Sequence, residues 1–193
     1  MNYLAHCYLS CQNEEVLVGN FITDFIRKKD EDRYEGDIRL GIRLHREIDR
    51  FTDDHPISRE MRSILRTRHN KYAPVMVDLL CDYYLSKNWS HFSGQTLRAF
   101  ADQSYETFHK YEPIFPDVLR SRFPGMYKAD FLLAYSDIHR TERSLIWMDD
   151  RAKFPSRFKD GIIDIRENDE RFNDLFLELF PDVIGHSEMI CDC

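Results

Sequence analysis

Apolar residues recur along this chain three or four positions apart, and no stretch alternates strictly between apolar and polar residues. The first pattern is typical of helices that bury one face, and a half-buried strand requires the second. Seven glycines, seven prolines and no Ser/Gly-rich linker in 193 residues leave little room for long loops. We therefore predict an all-α fold: a single-domain, globular multi-helix bundle over residues 1–193. The predicted helices lie near residues 2–10, 13–28, 36–53, 57–70, 74–87, 93–111, 117–126, 128–135, 137–149 and 167–179.

Composition narrows the partners and the compartment that we expect. A formal net charge of −7 argues against nucleic acid as the main partner. No apolar run is long enough to cross a membrane, and MNYLAHCYLS lacks the basic start of a signal peptide. The five cysteines, among them Cys191 and Cys193, have no regular spacing and favour reduced thiols. We expect a cytoplasmic protein without a membrane partner; its oligomeric state is left open.

The segment LGIRLHREIDRFTDDHP, residues 40–56, places two polar residues beside an apolar helix face. On a helical projection an apolar face lies opposite an arginine stripe and consists of Leu40, Leu44, Ile48 and Phe51. The stripe consists of Arg39, Arg43, Arg46 and Arg50. His45 and Asp49, one turn apart, flank the apolar face instead. Burying a charged aspartate is costly unless it is paired or bound to metal. The pair therefore indicates either a packing hydrogen bond or two ligands for one ion.

Two further segments carry aspartates among apolar residues. Asp78 and Asp82 stand one turn apart in YAPVMVDLLCDYYLSKNW, where they repel each other unless a cation or a proton intervenes. The alternative is a surface helix with both residues on its wet side. Asp24 follows Asn20 by one turn in VLVGNFITDFI, whose Gly19 permits another backbone to approach closely. Asp24 alternatively serves as a cap or an interhelical hydrogen-bond acceptor.

His6 lies in an apolar setting in NYLAHCYL, where the alternative is a core histidine. The candidate metal site combines two imidazoles and four carboxylates: His6, Asp24, His45, Asp49, Asp78 and Asp82. Mixed nitrogen and oxygen ligands suit a divalent metal such as Mn, Mg, Fe or Zn better than a thiolate site would. A cation held there would polarise a phosphoryl oxygen and lower the pKa of a water.

These segments resemble the acyl carrier protein phosphodiesterase family, or acyl carrier protein hydrolases. MNYLAH, GNFITDF, GIRLHREIDRFTDDHP, YAPVMVDLLCDYYL and LFPDV occur in the family's order over most of the chain. The resemblance implies a helical fold loosely similar to the HD phosphohydrolases. It also implies a metal-dependent hydrolysis, with Mn favoured, that releases 4′-phosphopantetheine from the serine of holo-acyl carrier protein. The implied partner is acyl carrier protein, and carrier proteins are acidic.

Carried over by motif, the resemblance points to seven residues: His6, Asn20, Asp24, His45, Asp49, Asp53 and Asp82. We expect Asp24, His45 and Asp82 to hold the metal. His6 or Asp78 is expected to complete or orient its shell.

The expected catalytic residues are Asp24, His45, Asp49 and Asp82. Asp49 is expected to orient His45 or a water rather than to bind the metal directly, because neighbouring carboxylates fix imidazole tautomers. One departure bears on metal binding and rate: this chain has Tyr83 where the family commonly has histidine.

An acidic carrier protein would need a positive face on this acidic chain. One candidate is the arginine stripe of residues 39–50. The other is the set Arg59, Arg62 and Arg66, spaced i, i+3 and i+7 on the next helix. The alternative is a solvated face with intrahelical ion pairs.

Two other functions fit the same residues. One is an HD-like phosphohydrolase that acts on a nucleotide or another small phosphoester and needs no docking face. The other is a non-catalytic protein that binds carrier protein and has lost the metal through the change at Tyr83.

Overall fold

The computed structural model describes residues 1–154 and 156–192, and within them it contains ten α-helices and no strand. The predicted all-α class is therefore confirmed. The helices are α1 (Tyr3–Tyr8), α2 (Glu14–Ile22), α3 (Gly36–Asp54), α4 (Pro56–His69), α5 (Ala73–Lys87), α6 (Trp89–Phe92), α7 (Leu97–Tyr111), α8 (Asp117–Lys128), α9 (Ile138–Arg151) and α10 (Gly161–Cys191). None of the described helices is both long and apolar enough to cross a membrane. The single-domain organisation and the likeness to HD phosphohydrolases stay predictions.

Two groups of buried apolar side chains hold the helices together. The larger joins α3, α4, α5 and α10 and includes Leu44, Ile48, Leu65, Leu80, Tyr84, Phe172 and Phe176. The smaller joins α2, α3, α7 and α8 and includes Val18, Phe21, Ile42, Phe108 and Phe123. Helix α1 contributes Leu4 to the first group and Cys7 to the second, so it is enclosed between them. His6, which lies on α1, is therefore carried into the interior.

Helices α2 and α3 cross at two glycines, as predicted for Gly19. A Cβ atom on Gly19 would lie 2.0 Å from the carbonyl oxygen of Ile38, and one on Gly41 would lie 2.2 Å from that of Val16. No real Cβ atom tolerates such distances, so only glycine permits this approach. The close crossing brings the polar residues of α3 against the second half of α2.

The prediction that the second helix continues to residue 28 is wrong, because α2 ends at Ile22. In the 3₁₀ turn that follows, the Thr23 hydroxyl donates to the carbonyl of Gly19 at 2.7 Å. Threonine often competes with the regular helical pattern through such local bonds. Asp24 is therefore carried on a turn at the end of α2, with its side chain 47% exposed.

The predicted helix over residues 128–135 is also wrong. Helix α8 ends at Lys128, and Asp130 adopts the left-handed conformation with φ 54°. The Asp130 carboxylate accepts a hydrogen bond from the Tyr105 hydroxyl at 3.0 Å and pairs with Arg98 at 2.9 Å. These tertiary contacts hold a conformation that aspartate tolerates better than most residues do.

Helix α10 has 31 residues and includes Pro181, whereas the prediction covered only residues 167–179. An interior proline loses one backbone hydrogen bond and costs about 3 kcal/mol. Phe176, Phe180 and Val183 on the same helix are fully buried. Each such side chain contributes roughly 1.5–3 kcal/mol on burial, so packing outweighs the local preference.

Cys11 and Cys191 form a disulfide, with Cα atoms 6.4 Å apart. The prediction of reduced thiols is therefore wrong for this pair, whereas Cys7 and Cys81 are free and buried. The bond joins the loop between α1 and α2 to the last turn of α10. Sequence spacing carries no signal for it, because 180 positions separate the two cysteines. Cys193 lies outside the described residues.

Candidate active site

The site is built around His45, which α3 presents to α2 just beyond the glycine crossing. Its Nδ1 lies 2.9 Å from the backbone carbonyl oxygen of Asn20 and 3.0 Å from the side-chain Oδ1 of the same residue. The Asn20 Nδ2 donates to the carbonyl of His6 and to Ser10 Oγ, which leaves Oδ1 as an acceptor. Nδ1 of His45 therefore carries a proton whether the ring is neutral or charged, and Nε2 points at the carboxylates around it.

His6 projects from α1 onto the ring of His45. The two imidazoles are stacked, with centroids 4.0 Å apart and planes 11° apart. His6 Nε2 lies 3.1 Å from Asp49 Oδ1, and its Nδ1 is buried without a hydrogen-bond partner among the described residues. Burial, reinforced by repulsion from His45, lowers the pKa of His6 to about 4. His6 is thus a neutral imidazole at physiological pH.

Asp49 and Asp24 complete the cluster from two sides. Asp49 Oδ2 and Asp24 Oδ1 lie 3.3 and 3.4 Å from His45 Nε2. Burial lowers the pKa of His45, but the hydrogen bonds to Asp24 and Asp49 outweigh it and raise that pKa to about 9. Burial raises the pKa of Asp49 in turn, and its bonds with both imidazoles bring it far below the usual range.

The amino group of Met1 is a further charged group at this site. It is fully buried and lies 2.9 Å from Asp78 Oδ1 and 3.3 Å from Asp49 Oδ1. Burial lowers the pKa of this amine, and attraction to Asp78 and Asp49 raises it to about 11. Asp78 is therefore joined to the cluster through Met1 and Asp49. No pattern in the sequence indicates this amine, because the contact depends on a main-chain amino group and not on a type of side chain.

Asp82 has contacts different from those expected of a metal ligand. Its two oxygens accept the backbone N–H groups of Leu4 and Ala5, each at 3.0 Å. These belong to the first turn of α1, where backbone donors lack partners within the helix. Burial raises the pKa of Asp82 to about 7, against the effect of the two N–H groups. Asp82 thus anchors the helix that carries His6, and the expected trio of Asp24, His45 and Asp82 is not assembled.

Within the described ranges, one group of side chains has ligand atoms close enough to hold a cation: His6, His45 and Asp49, all within 4.8 Å of one another. Asp24 adjoins it through His45. Two carboxylates facing Nε2 of His45 require a positive species there, either a proton on the ring or a cation. Imidazole nitrogen with carboxylate oxygen is a donor set typical of catalytic divalent metals. The residues therefore fit such a metal.

Tyr83 and Asp53 lie apart from this group. Tyr83 is buried against the ring of Tyr84, and burial raises its pKa, with Asp169 and Asp137 as the nearby charges. Asp53 is 69% exposed and is bound by Arg62 at 3.1 Å. The departure at Tyr83 therefore removes no side chain from the His6–His45–Asp49 group.

The arginines predicted to bind a partner are largely neutralised by the chain's own acids. Five of the seven form ion pairs: Arg39 with Asp32, Arg46 with Glu31, Arg50 with Glu47, Arg59 with Asp54 and Arg62 with Asp53. Arg43 and Arg66 have no ion pair among the described residues. The alternative of intrahelical ion pairs fits only Arg50 with Glu47, because the other four pairs join residues of different elements.

The fold and the site define a class: an all-helical protein with a histidine–aspartate cluster where α1, α2 and α3 meet. Comparison with known families makes this specific. The chain belongs to the acyl carrier protein phosphodiesterase family, whose model matches residues 1–183. The resemblance found in the sequence is therefore confirmed.

Individual relatives agree with the family model. The chain is 28% identical over 189 residues to the acyl carrier protein phosphodiesterase of Photorhabdus laumondii, covering 97% of this chain and 96% of that protein. It is also 28% identical over 188 residues to a protein of the same name from Escherichia coli O139:H28, with 97% of each covered. No solved structure matches the chain.

Proposed function

We propose that this protein is a metal-dependent phosphodiesterase that releases 4′-phosphopantetheine from the serine of holo-acyl carrier protein. The observation that carries the proposal is the convergence of His6, His45 and Asp49 in a member of this family. A structural ion pair would need one imidazole and one carboxylate. Two stacked imidazoles that both face Asp49, with Asp24 also facing His45, are better explained by a cation that these residues bind.

The proposed metal ligands are His6, His45 and Asp49, with Asp24 at the exposed side of the cluster. This differs from the sequence-based expectation, because Asp49 replaces Asp82 and His6 becomes a direct ligand. A bound divalent ion, with Mn first among Mn, Mg, Fe and Zn, would supply Lewis-acid polarisation of the phosphoryl group and a more acidic water.

Other residues of the chain position these ligands. Asn20 holds the proton of His45 on Nδ1 and keeps Nε2 directed at the cluster. Asp82 holds the first turn of α1 and thereby fixes the position of His6, which lies on that helix. The Met1 amine contacts Asp49 Oδ1, the same oxygen that faces His6, and helps to fix this carboxylate. Removing one such supporting contact typically lowers metal affinity or activity about 10–100-fold.

Asp24 is the group most accessible to a substrate. Its side chain is 47% exposed and borders the cluster on the turn after α2. Burial raises its pKa, but the hydrogen bond with His45 lowers it below the usual value. Asp24 is therefore ionised and able to accept a hydrogen bond from a water that approaches the phosphodiester, which would orient that water.

The test follows release of phosphopantetheine from holo-acyl carrier protein by mass spectrometry. Protein stripped by a chelator should be inactive, and one of the four divalent ions should restore turnover. His45→Gln and Asp49→Asn should lower turnover by more than the roughly 10–100-fold that is typical when an orienting residue is replaced. His91→Gln, an exposed histidine outside the cluster, is the matched control.

The two alternative functions give different results in the same experiment. Hydrolysis of nucleotides or other small phosphoesters without release from carrier protein would identify a small-substrate phosphohydrolase. Carrier-protein binding without metal or turnover would identify a non-catalytic member. Full activity of the chelated protein or of His45→Gln would contradict the proposal.

A further inference from the structure

The outer face of α9 and the segment after it expose three large apolar side chains close together in the sequence. Trp147 is 59% exposed and Ile146 is 44% exposed. Phe154, just after the helix, is 52% exposed. Large aromatic side chains are enriched at protein interfaces and depleted on other surfaces. The face is therefore a candidate interface.

Cations are held against these aromatic rings. The Arg151 guanidinium lies 4.5 Å from the ring centroid of Trp147, and Lys71 Nζ lies 3.9 Å from that of Phe154. Arg143 lies one turn before Trp147 on the same exposed face. We call this the Trp147 surface, defined by Lys71, Arg143, Ile146, Trp147, Arg151 and Phe154.

The cations of the Trp147 surface lack acidic partners, in contrast to the arginine stripe of α3. Within the described ranges, no carboxylate pairs with Lys71, Arg143 or Arg151. Asp150 is the one acid that shares the exposed face of α9. A locally positive surface on a chain of net charge −7 is able to steer and orient an acidic partner.

A short series of contacts connects this surface with the candidate active site. Met148, next to Trp147, accepts a hydrogen bond from the Tyr135 hydroxyl with an O–S distance of 3.6 Å. Asn2 contacts Tyr135 through its side chain. Its neighbour Met1 places its amino group on Asp49 and Asp78. These contacts therefore connect α9 with the cluster through the interior of the protein.

We propose that the Trp147 surface docks the acyl carrier protein, with Trp147 as the apolar anchor and Arg151 and Lys71 facing its carboxylates. This inference rests on the proposed function, which supplies an acidic protein as the substrate. An apolar centre with cations around it is the composition of binding hot spots, where tryptophan and arginine predominate. Docking is thereby assigned to α9 instead of to the predicted arginines of α3 and α4.

The direct test is binding of acyl carrier protein without its prosthetic group, which cannot be cleaved, measured by calorimetry. Trp147→Ala and Arg151→Glu should each raise the dissociation constant about tenfold or more. Met189→Ala, which removes a still more exposed apolar side chain from α10, should change it less than twofold. Arg43→Glu provides the comparison with the arginine stripe.

Kinetics give a second readout. The two surface variants should raise KM for holo-acyl carrier protein and leave hydrolysis of bis(p-nitrophenyl) phosphate unchanged. Lys71→Glu, on a different segment, should reproduce the effect. If the wild-type protein bound carrier protein but hydrolysed neither substrate, the proposed function would be contradicted and the docking assignment would be unaffected.

The docking assignment is overturned if the surface variants bind carrier protein as the wild type does. It is equally overturned if Arg43→Glu weakens binding while Trp147→Ala does not. Sedimentation separates one further outcome. A dimer that Trp147→Ala converts to a monomer, with carrier binding unchanged, would show that the surface joins two copies of this chain.

Discussion

The imidazole rings of His6 and His45 lie parallel and in contact, with centroids 4.0 Å apart. Two protonated imidazoles would repel each other strongly at that separation. The structure separates their charges, because the pKa of His6 is lowered to about 4 and that of His45 is raised to about 9. The cluster therefore contains one neutral and one protonated ring at neutral pH, and a metal ion would replace the proton of His45.

The first prediction concerns the amide that orients His45. Asn20→Ala removes the Oδ1 acceptor at Nδ1, so the ring is free to rotate and to change tautomer. We expect metal affinity and kcat to fall about 10–100-fold, with little change in KM for carrier protein. Metal affinity is measured by calorimetry and turnover by phosphopantetheine release.

Asn88→Ala is the matched control for Asn20→Ala. Asn88 also uses its amide within the fold, donating to the Tyr84 carbonyl at 2.8 Å and to Asn173 at 2.9 Å. It has no contact with the imidazoles. If both variants lost metal affinity equally, the effect would come from lost stability and not from orientation of His45.

The second prediction concerns pH and the stability of the chelated protein. The folded-state pKa of His45 is about 9 and the ordinary value is 6.5. Below pH 6.5 both folded and unfolded chains bind this proton, so the stabilisation is fully present. As pH rises, the unfolded chain releases the proton first and stability declines until the folded pKa is passed. We expect a loss of about 1–2 kcal/mol between pH 6.5 and 8.

When thermal unfolding is followed in the presence of a chelator, stability should decline with pH less in His45→Gln than in the wild type. The decline that remains comes from Asp82, whose pKa is raised from 3.8 to about 7 and which releases its proton in the same range. The comparison is made below pH 8. Folding raises the pKa of the Met1 amine from 8.0 to about 11, so this amine changes the pH dependence of stability mainly above pH 8. Parallel pH profiles of the wild type and His45→Gln would rule out a protonated His45 in the folded state.

The third prediction concerns the glycine crossing of α2 and α3. Gly41→Ala would place a methyl group 2.2 Å from the carbonyl oxygen of Val16, so the helices must separate. Overpacking of this kind typically costs about 1–3 kcal/mol, and more when backbone must move. Denaturant unfolding measures the loss, and the shift should also lower turnover because His45 is on the displaced helix.

Gly125→Ala and Gly185→Ala are the controls for the crossing. Both residues are helical, and an added Cβ meets nothing within 4 Å at either position. These substitutions should stabilise the protein by about 0.4–1 kcal/mol. If Gly41→Ala behaved like them, the close approach of α2 and α3 would not exist in solution.

The fourth prediction concerns the bond between Cys11 and Cys191. Peptide mapping without reductant should recover the two residues in one cross-linked product. Because the bond closes a loop of about 180 residues, chain entropy places its contribution at up to about 5 kcal/mol. Reductant should lower the thermal midpoint of the wild type to that of the double variant Cys11→Ser/Cys191→Ser, which itself should not respond. An unchanged midpoint of the wild type would contradict the bond.

Much of the secondary structure was readable from local pattern. The bounds of α3 and α5 lie within one residue of those predicted, because both helices have an uninterrupted apolar face and clear ends. The errors fall where tertiary contacts oppose local preference. Helix α10 continues through Pro181 because the surrounding phenylalanines are buried. The predicted helix over residues 128–135 does not form, because Arg98 and Tyr105 hold the carboxylate of Asp130.

The sequence by itself determined the helical class and the family, since both follow from local spacing and residue type. Only the tertiary structure decided which acids reach the imidazoles. Asp49 and Asp24 do, whereas Asp78 faces the Met1 amine and Asp82 the amides of α1. Helical periodicity gives the direction of a side chain around its own axis. The partner it meets depends on how the helices cross and where they end, and that is set by contacts between residues far apart in the chain.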